Sequence, residues 1–216
     1  MTEHLVSQMF GYNPAESTRT NLTPPHSLGD SGLLHLSPHR ITSVTSPQTH
    51  AFNTPYQLSK LPAQLLLQQA IFGGGKPYSE VPTNADISTH QISPGDVLVL
   101  ATDGVWDNLS AQDILSIIDK EMTQAQAWGS EREGGPAVSS KIREMTQRND
   151  KGESQPLQAR LAIAVTKAAK EAALSRTRDG PFAREVQRLY PQENWRGGKL
   201  DDICVVVAIA VSGGNP

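Results

Sequence analysis

Cysteine is almost missing from this 216-residue chain: Cys204 stands alone, so no intramolecular disulfide can hold the fold. Its place inside an apolar run gives the expectation of a small buried hydrophobe in a reducing or neutral compartment. Large apolar side chains are scarce too. The hydrophobic share is 37%, below the ~45–50% of globular chains, though glycine is left out of that count. The core is therefore modest, and several segments lie outside it. The longest apolar run, Ile203 to Val211, is less than half the ~20 residues of a membrane-spanning helix, so no membrane span is read. Charge of one sign is lacking as well. With 19 Lys and Arg against 22 Asp and Glu, the net charge is -3, which gives no electrostatic case for nucleic acid or an anionic membrane surface. The first residues, Met1-Thr2-Glu3-His4, open no basic region followed by an apolar stretch, so no targeting sequence is read. The six histidines are scattered, which argues against a histidine-rich zinc site.

What is present falls into recognisable pieces. Residues 1–27 are weakly patterned, end near two consecutive prolines, and are expected to be poorly ordered. Leu33-Leu34-His35-Leu36 and Ile41-Thr42-Ser43-Val44-Thr45 read as a hairpin turned at Pro38-His39-Arg40. A long loop follows to Pro82, with one short helix at Ala63 to Ile71. Gly73-Gly74-Gly75-Lys76 lacks the glycine spacing and the Ser/Thr of a phosphate-binding loop, so no nucleotide site is assigned. Ile87–Ile92 and the continuous apolar run Val97-Leu98-Val99-Leu100-Ala101 read as strands, the second buried on both faces. Ser110 with Asp113 forms a capping box, and Ile114, Leu115, Ile117, Ile118 and Met122 supply the stripe that docks a helix on a sheet. Residues 128–155 are charged and rich in Gly and Ser, the composition of an exposed insertion. The Ala-rich stretch from Leu157 to Ser175 predicts a helix, and Gly180-Pro181 opens another, with Phe182, Val186 and Leu189 on one face. Residues 203–211 are the most strongly β segment. Antiparallel strands with helices give an α+β domain over residues 28–211 and a tail at 212–216.

Two acidic clusters flank the apolar strands. Asp103 and Asp107 follow Val97–Ala101, and Asp201-Asp202 precede Ile203. Carboxylates beside buried strands are costly unless neutralised. No basic residue adjoins Asp103 in sequence, and a hard divalent cation, which favours carboxylate and water oxygens, meets the need. Taken singly, each feature has a plainer reading: Asp103-Gly104 as a turn, Asp107 as a carboxylate near a helix start, and Asp201-Asp202 as a solvated strand start.

In combination they carry a resemblance. Ala101-Thr102-Asp103-Gly104-Val105-Trp106-Asp107-Asn108, entered from a hydrophobic strand, resembles the signature of the type 2C (PPM) protein phosphatases. Gly197-Gly198-Lys199-Leu200-Asp201-Asp202-Ile203 is similar to that family's closing motif, and Leu28-Gly29-Asp30-Ser31-Gly32 to its hairpin motif, all three in family order. Phe52-Asn53-Thr54-Pro55-Tyr56-Gln57-Leu58 and Pro181-Phe182-Ala183 point to the compact branch with mitochondrial members. Mitochondrial residence is therefore suggested, with the cytoplasm as the alternative.

The resemblance implies a partial type 2C fold, an antiparallel β-sandwich flanked by helices. It implies Mg²⁺ or Mn²⁺, two ions with a third site in the complete domain, and hydrolysis of phosphoserine and phosphothreonine proteins. Asp103 and Asp201 are implied as ligands of the first metal, and Asp30 and Asp107 as acidic positions of a weaker site. Asp202 and Gly104 are implied as supports that orient the ligands. No side chain is implied as catalytic: the nucleophile is water activated by metal. The departures are also plain. The family's first metal motif, an N-terminal Asp-Gly, has no counterpart before Asp103-Gly104, nor does its phosphate-gripping arginine. Leu200 stands for the usual Pro and Cys204 for the usual Thr. The reading is a protein serine/threonine phosphatase present as the C-terminal half of its catalytic domain, with little or no activity expected of the isolated chain. The alternative is a catalytically silent binding or regulatory fragment that keeps the half-fold. Substrate identity and oligomeric state are not readable.

Overall fold

A computed structural model describes residues 20–21, 26–58, 62–72, 79–132, 135–148 and 155–213. The expectation for 1–27 therefore lies largely outside the described residues, as does Gly73-Gly74-Gly75-Lys76. At the centre is a four-stranded antiparallel sheet of β1 (Gly32–Ser37), β2 (Arg40–Val44), β3 (Val97–Ala101) and β4 (Val205–Ile209). Its order is β4-β3-β1-β2, with Val207 opposite Val99, and Leu34 opposite both Val99 and Val44. Continuous apolar sequence explains the middle strands. Leu33, Leu34, Leu36, Val97, Leu98 and Val99 are all buried, as expected for strands covered on both faces. His35 is tolerated in that run because its Nε2 lies 2.9 Å from Asp96 Oδ2, and the same oxygen accepts the Ser93 N–H.

Helices cover one face. The short turn α1 (Asp103–Trp106), α2 (Ala111–Gln124) and α3 (Leu157–Leu174) lie on it, and α4 (Pro181–Leu189) follows in the chain. The expected capping box starts α2: the Ser110 side chain accepts the Asp113 N–H, and the Ser110 N–H donates to Asp113 Oδ2. Ile114, Leu115, Ile118 and Met122 point into the core, where they meet Leu161, Val165 and Ala169 of α3 and Leu34, Val97 and Val99 of the sheet. The opposite face carries a thinner cluster of Leu33, Ile92 and Leu98. Two short strand pairs also form, Thr20–Asn21 with Gln91–Ile92 and His26–Ser27 with Asp86–Ile87. The segment expected as one strand over 87–92 thus divides into two. The architecture is α+β, with one sheet of the expected sandwich built among the described residues.

Two further expectations differ from what is seen. Where described, 128–155 is not simply exposed. Trp128–Arg132 and Gly135–Val138 form a hairpin, and Ile142–Thr146 is a short helix. Trp128 is buried, with its Nε1 donating to Gly95 O at 2.9 Å. The charged composition hides a few apolar anchors that suffice to dock the segment. Cys204 is exposed rather than buried. It lies next to β4, an edge strand, and the outward side there has no covering layer among the described residues.

Candidate metal centre

The centre forms where β3 ends and β4 begins. Because the two strands are antiparallel and adjacent, with Val205 opposite Ala101, the residues just after β3 and just before β4 must share one sheet edge. Thr102 fastens them: its hydroxyl donates to Asp202 O at 2.9 Å and accepts the Cys204 N–H at 3.0 Å. Thr102 sits in extended backbone before α1 and makes no side-chain cap, since its hydroxyl is spent across the sheet. The approach is close. A Cβ on Gly104 would stand 2.5 Å from Asp202 O, so only glycine fits without displacing one segment.

Asp103, Asp107 and Asp201 converge. One carboxylate oxygen from each lies within 4.8 Å of the others. Asp103 opens α1, Asp107 closes it one turn later, and Asp201 arrives from the loop before β4. Asp30 is not part of this tight trio. It stands on the wall of an adjoining cavity of about 790 Å³ that also holds Asp103, Asp107, Phe52 and Phe182. Asp202 contributes through its backbone, whose N–H donates to Asp201 Oδ1 at 2.9 Å. Gly104 N–H likewise donates to Asp103 Oδ1 at 2.9 Å.

The positive charge is Lys199, two residues before Asp201 but far in sequence from Asp103 and Asp107. Its Nζ lies 2.6 Å from Asp107 Oδ2, 2.7 Å from Asp201 Oδ2 and 3.7 Å from Asp103 Oδ2. A divalent cation is therefore not the sole group able to meet the need set out above, because a lysine 92 positions beyond Asp107 folds onto the cluster. Four carboxylates against one ammonium still leave the region strongly acidic. Burial, then repulsion from Asp103, pushes the Asp30 carboxyl up. Burial also pushes Asp107 up against the opposing pull of Lys199. Asp201 is more open, and the hydrogen bond from Lys199, followed by the Asp202 N–H, holds it below the usual carboxylate range. Burial works against the charge on Lys199, but hydrogen bonds to Asp107 and Asp201 prevail and raise its pKa.

Two residues that place the lysine escaped sequence reasoning. Asn108 is fully buried. Its Nδ2 donates to Gly104 O and Lys199 O at 2.9 and 2.8 Å, and its Oδ1 accepts the Lys199 N–H at 2.9 Å. Asp179 accepts the Gly197 N–H at 2.8 Å, together with Gln187 Nε2 and Arg196 Nη1. Its carboxyl is lowered to about 2 by these hydrogen bonds, that from Gln187 foremost. The signal for Asn108 was its place directly after Asp107 in the quoted motif, and nothing local marked Asp179. The donor set suits a hard cation: three clustered, partly solvated carboxylates already hold one positive group.

Comparison with known proteins shows what the chain as a whole is similar to. The family model described as "Protein phosphatase 2C" matches residues 72–149. The "Protein phosphatase PTC7 homolog fig" of Drosophila yakuba is 32% identical over 182 residues, covering 84% of this chain and 45% of the relative. The "Protein phosphatase 2C homolog 7, mitochondrial" of Saccharomyces cerevisiae is 31% identical over 182 residues, covering 83% and 43%. The chain thus spans under half the length of these curated relatives. Among solved structures, that of the photosystem II phosphatase PBCP superposes with a TM-score of 0.57 at 22% identity, covering 89% of this chain and 59% of the other, a likeness of fold. The chain is similar to the type 2C protein phosphatases, and among them to the PTC7 homologues.

Proposed function

We propose that this chain carries the C-terminal half of the catalytic domain of a metal-dependent protein serine/threonine phosphatase, acting on phosphoserine and phosphothreonine proteins in mitochondria. The observation that carries the reading is the convergence of Asp103, Asp107 and Asp201 within 4.8 Å at the edge shared by β3 and β4. In this reading Asp103 and Asp201 hold Mg²⁺ or Mn²⁺, and Asp107 and Asp30 serve a further cation on the cavity side. A divalent ion bound there neutralises phosphoryl charge and makes a neighbouring water more acidic. The chain's own residues do the positioning. The Asp202 N–H turns the Asp201 carboxylate, Gly104 lets the two segments meet, and Thr102 locks their spacing. The mitochondrial assignment leans on the name of the yeast relative.

The test is Mn²⁺ titration of the purified chain by calorimetry. Binding in the micromolar-to-millimolar range that is lost in Asp103→Ala and Asp201→Ala supports the reading, and absence of binding at millimolar Mn²⁺ overturns it. A second reading, a catalytically silent binding or regulatory fragment, has its own support: the Lys199 ammonium already holds the carboxylates. It predicts no Mn²⁺-dependent turnover of a phosphopeptide by the 216-residue chain. Turnover abolished by Asp103→Ala excludes it.

A further inference from the structure

We infer that Lys199 is a tethered counterion, occupying the cation position of the acidic centre in the metal-free chain and expelled when a divalent ion enters. The inference rests on the metal-binding reading above and goes beyond it by assigning metal and ammonium to one set of carboxylates, for which they compete.

The geometry is that of a bound cation. Nζ makes hydrogen bonds of 2.6 and 2.7 Å to Asp107 and Asp201, with Asp103 at 3.7 Å, and these are the three residues whose oxygens cluster as a ligand set. An ammonium is a compact point charge with three donors and no acceptor, so it satisfies carboxylates much as a small metal ion does. Nor is this a surface lysine that happens to reach an acid. Its side chain is only 17% exposed, and its backbone is gripped on both sides by Asn108. The Gly198 N–H just before it donates to Ser175 O at 2.8 Å. The glycines at 197 and 198 are packed so tightly that added Cβ atoms would stand 2.4 and 2.1 Å from Ser175 O and Ala172 O. The loop therefore delivers the ammonium to a fixed place.

The Phe182 ring lies under Nζ at 5.1 Å from its centroid, on the wall of the cavity that also contains Asp30, Asp103 and Asp107. A cation is attracted to the face of an aromatic ring, so Phe182 also steadies the ammonium where it meets the carboxylates. A divalent ion and an ammonium cannot share the same oxygens, because their mutual repulsion at such separations is large in a half-buried site. Two consequences follow. The metal-free chain keeps an intact acidic centre, and its metal affinity is lower than that of the same carboxylates without the lysine.

The experiment compares Mn²⁺ binding to the full chain and to Lys199→Met by calorimetry, with free Mn²⁺ followed by electron paramagnetic resonance. Lys199→Met is expected to bind Mn²⁺ about tenfold more tightly, with a lowered metal-free Tm that recovers when Mn²⁺ is added. Unchanged or weaker Mn²⁺ binding by the variant overturns the inference. Should Lys199→Met fail to fold without metal, the unmodified chain answers alone. Amine acylation read by peptide mass spectrometry should show Lys199 protected without metal and several-fold more reactive at saturating Mn²⁺, with exposed Lys120 as the invariant reference. Labelling of Lys199 that is unchanged or reduced at saturation overturns the inference as well. Mn²⁺ binding to neither protein removes the metal-centre reading itself, whereas binding indifferent to position 199 removes only the competition.

Discussion

Asn108→Ala should loosen the centre and the fold together. The side chain is fully buried and makes three hydrogen bonds, two donated to Gly104 O and Lys199 O and one accepted from the Lys199 N–H. A neutral hydrogen bond contributes about 1 kcal/mol net, and a buried group left without a partner costs about 1–3 kcal/mol. The Lys199 backbone is only partly buried, so water repairs some of the loss there, and the total comes to about 3 kcal/mol. For a chain of this size that is a fall in Tm of roughly 6–12 °C. Urea titration followed by far-UV circular dichroism reads the same loss as a lower midpoint with little change in slope. Asn108→Asp is the sharper companion. It is nearly isosteric and keeps an acceptor for the Lys199 N–H, but it turns a carboxylate against two carbonyls in a region already crowded with Asp103, Asp107 and Asp201. It should cost more than alanine at pH 7 and recover as pH falls. If Asn108→Ala unfolds within ~0.5 kcal/mol of the parent, or Asn108→Asp is as stable as the parent, the assignment of Asn108 as the clamp between the two motifs is refuted.

Gly104→Ala forces a Cβ to within 2.5 Å of Asp202 O and should cost more than ~2 kcal/mol, with Mn²⁺ affinity falling in the same sample. Preserved Tm and affinity would count against the close approach. The Asp179 carboxyl is depressed from its ordinary value to about 2, so its stabilising contribution is complete above the unfolded value of 3.8 and disappears as pH falls through about 2. Asp179→Asn should therefore flatten the acid limb of the stability curve between those limits, seen in Tm against pH. Trp128→Phe removes the hydrogen bond to Gly95 O and leaves a small void at a fully packed site, for a loss of about 1–3 kcal/mol by urea titration. A loss below ~0.5 kcal/mol would return the 128–138 hairpin to the status of a loose insertion.

The elements that were legible are those whose signal is local. Val97–Ala101 announces itself by five consecutive apolar residues, and α2 by the Ser110–Asp113 box with its Ile114, Leu115, Ile118, Met122 stripe. The acidic residues at 103, 107 and 201 were legible through their motifs, and the antiparallel pairing of β3 with β4 is what brings them to one edge. What escaped was non-local. Lys199 acts on Asp107 across 92 residues and Asn108 grips the Lys199 backbone across 91, and no periodicity encodes such contacts. Trp128 was hidden by the charged residues after it, since a short hairpin needs only one large anchor to dock. Cys204 misled because an apolar run implies burial only when both faces of its strand are covered, and here the strand beside it is at the edge.

The Thr102 tie between two segments a hundred residues apart makes folding and ligation interdependent. An ion gripping both Asp103 and Asp201 would act as a staple across the widest loop closure of the sheet. By mass action it would add about 2.7 kcal/mol at a hundredfold excess over its dissociation constant. Depletion of divalent ions would then weaken the seam where β4 zips onto its neighbour, so the zone most exposed to proteases under chelation should be the 199–209 stretch rather than the helices behind the sheet.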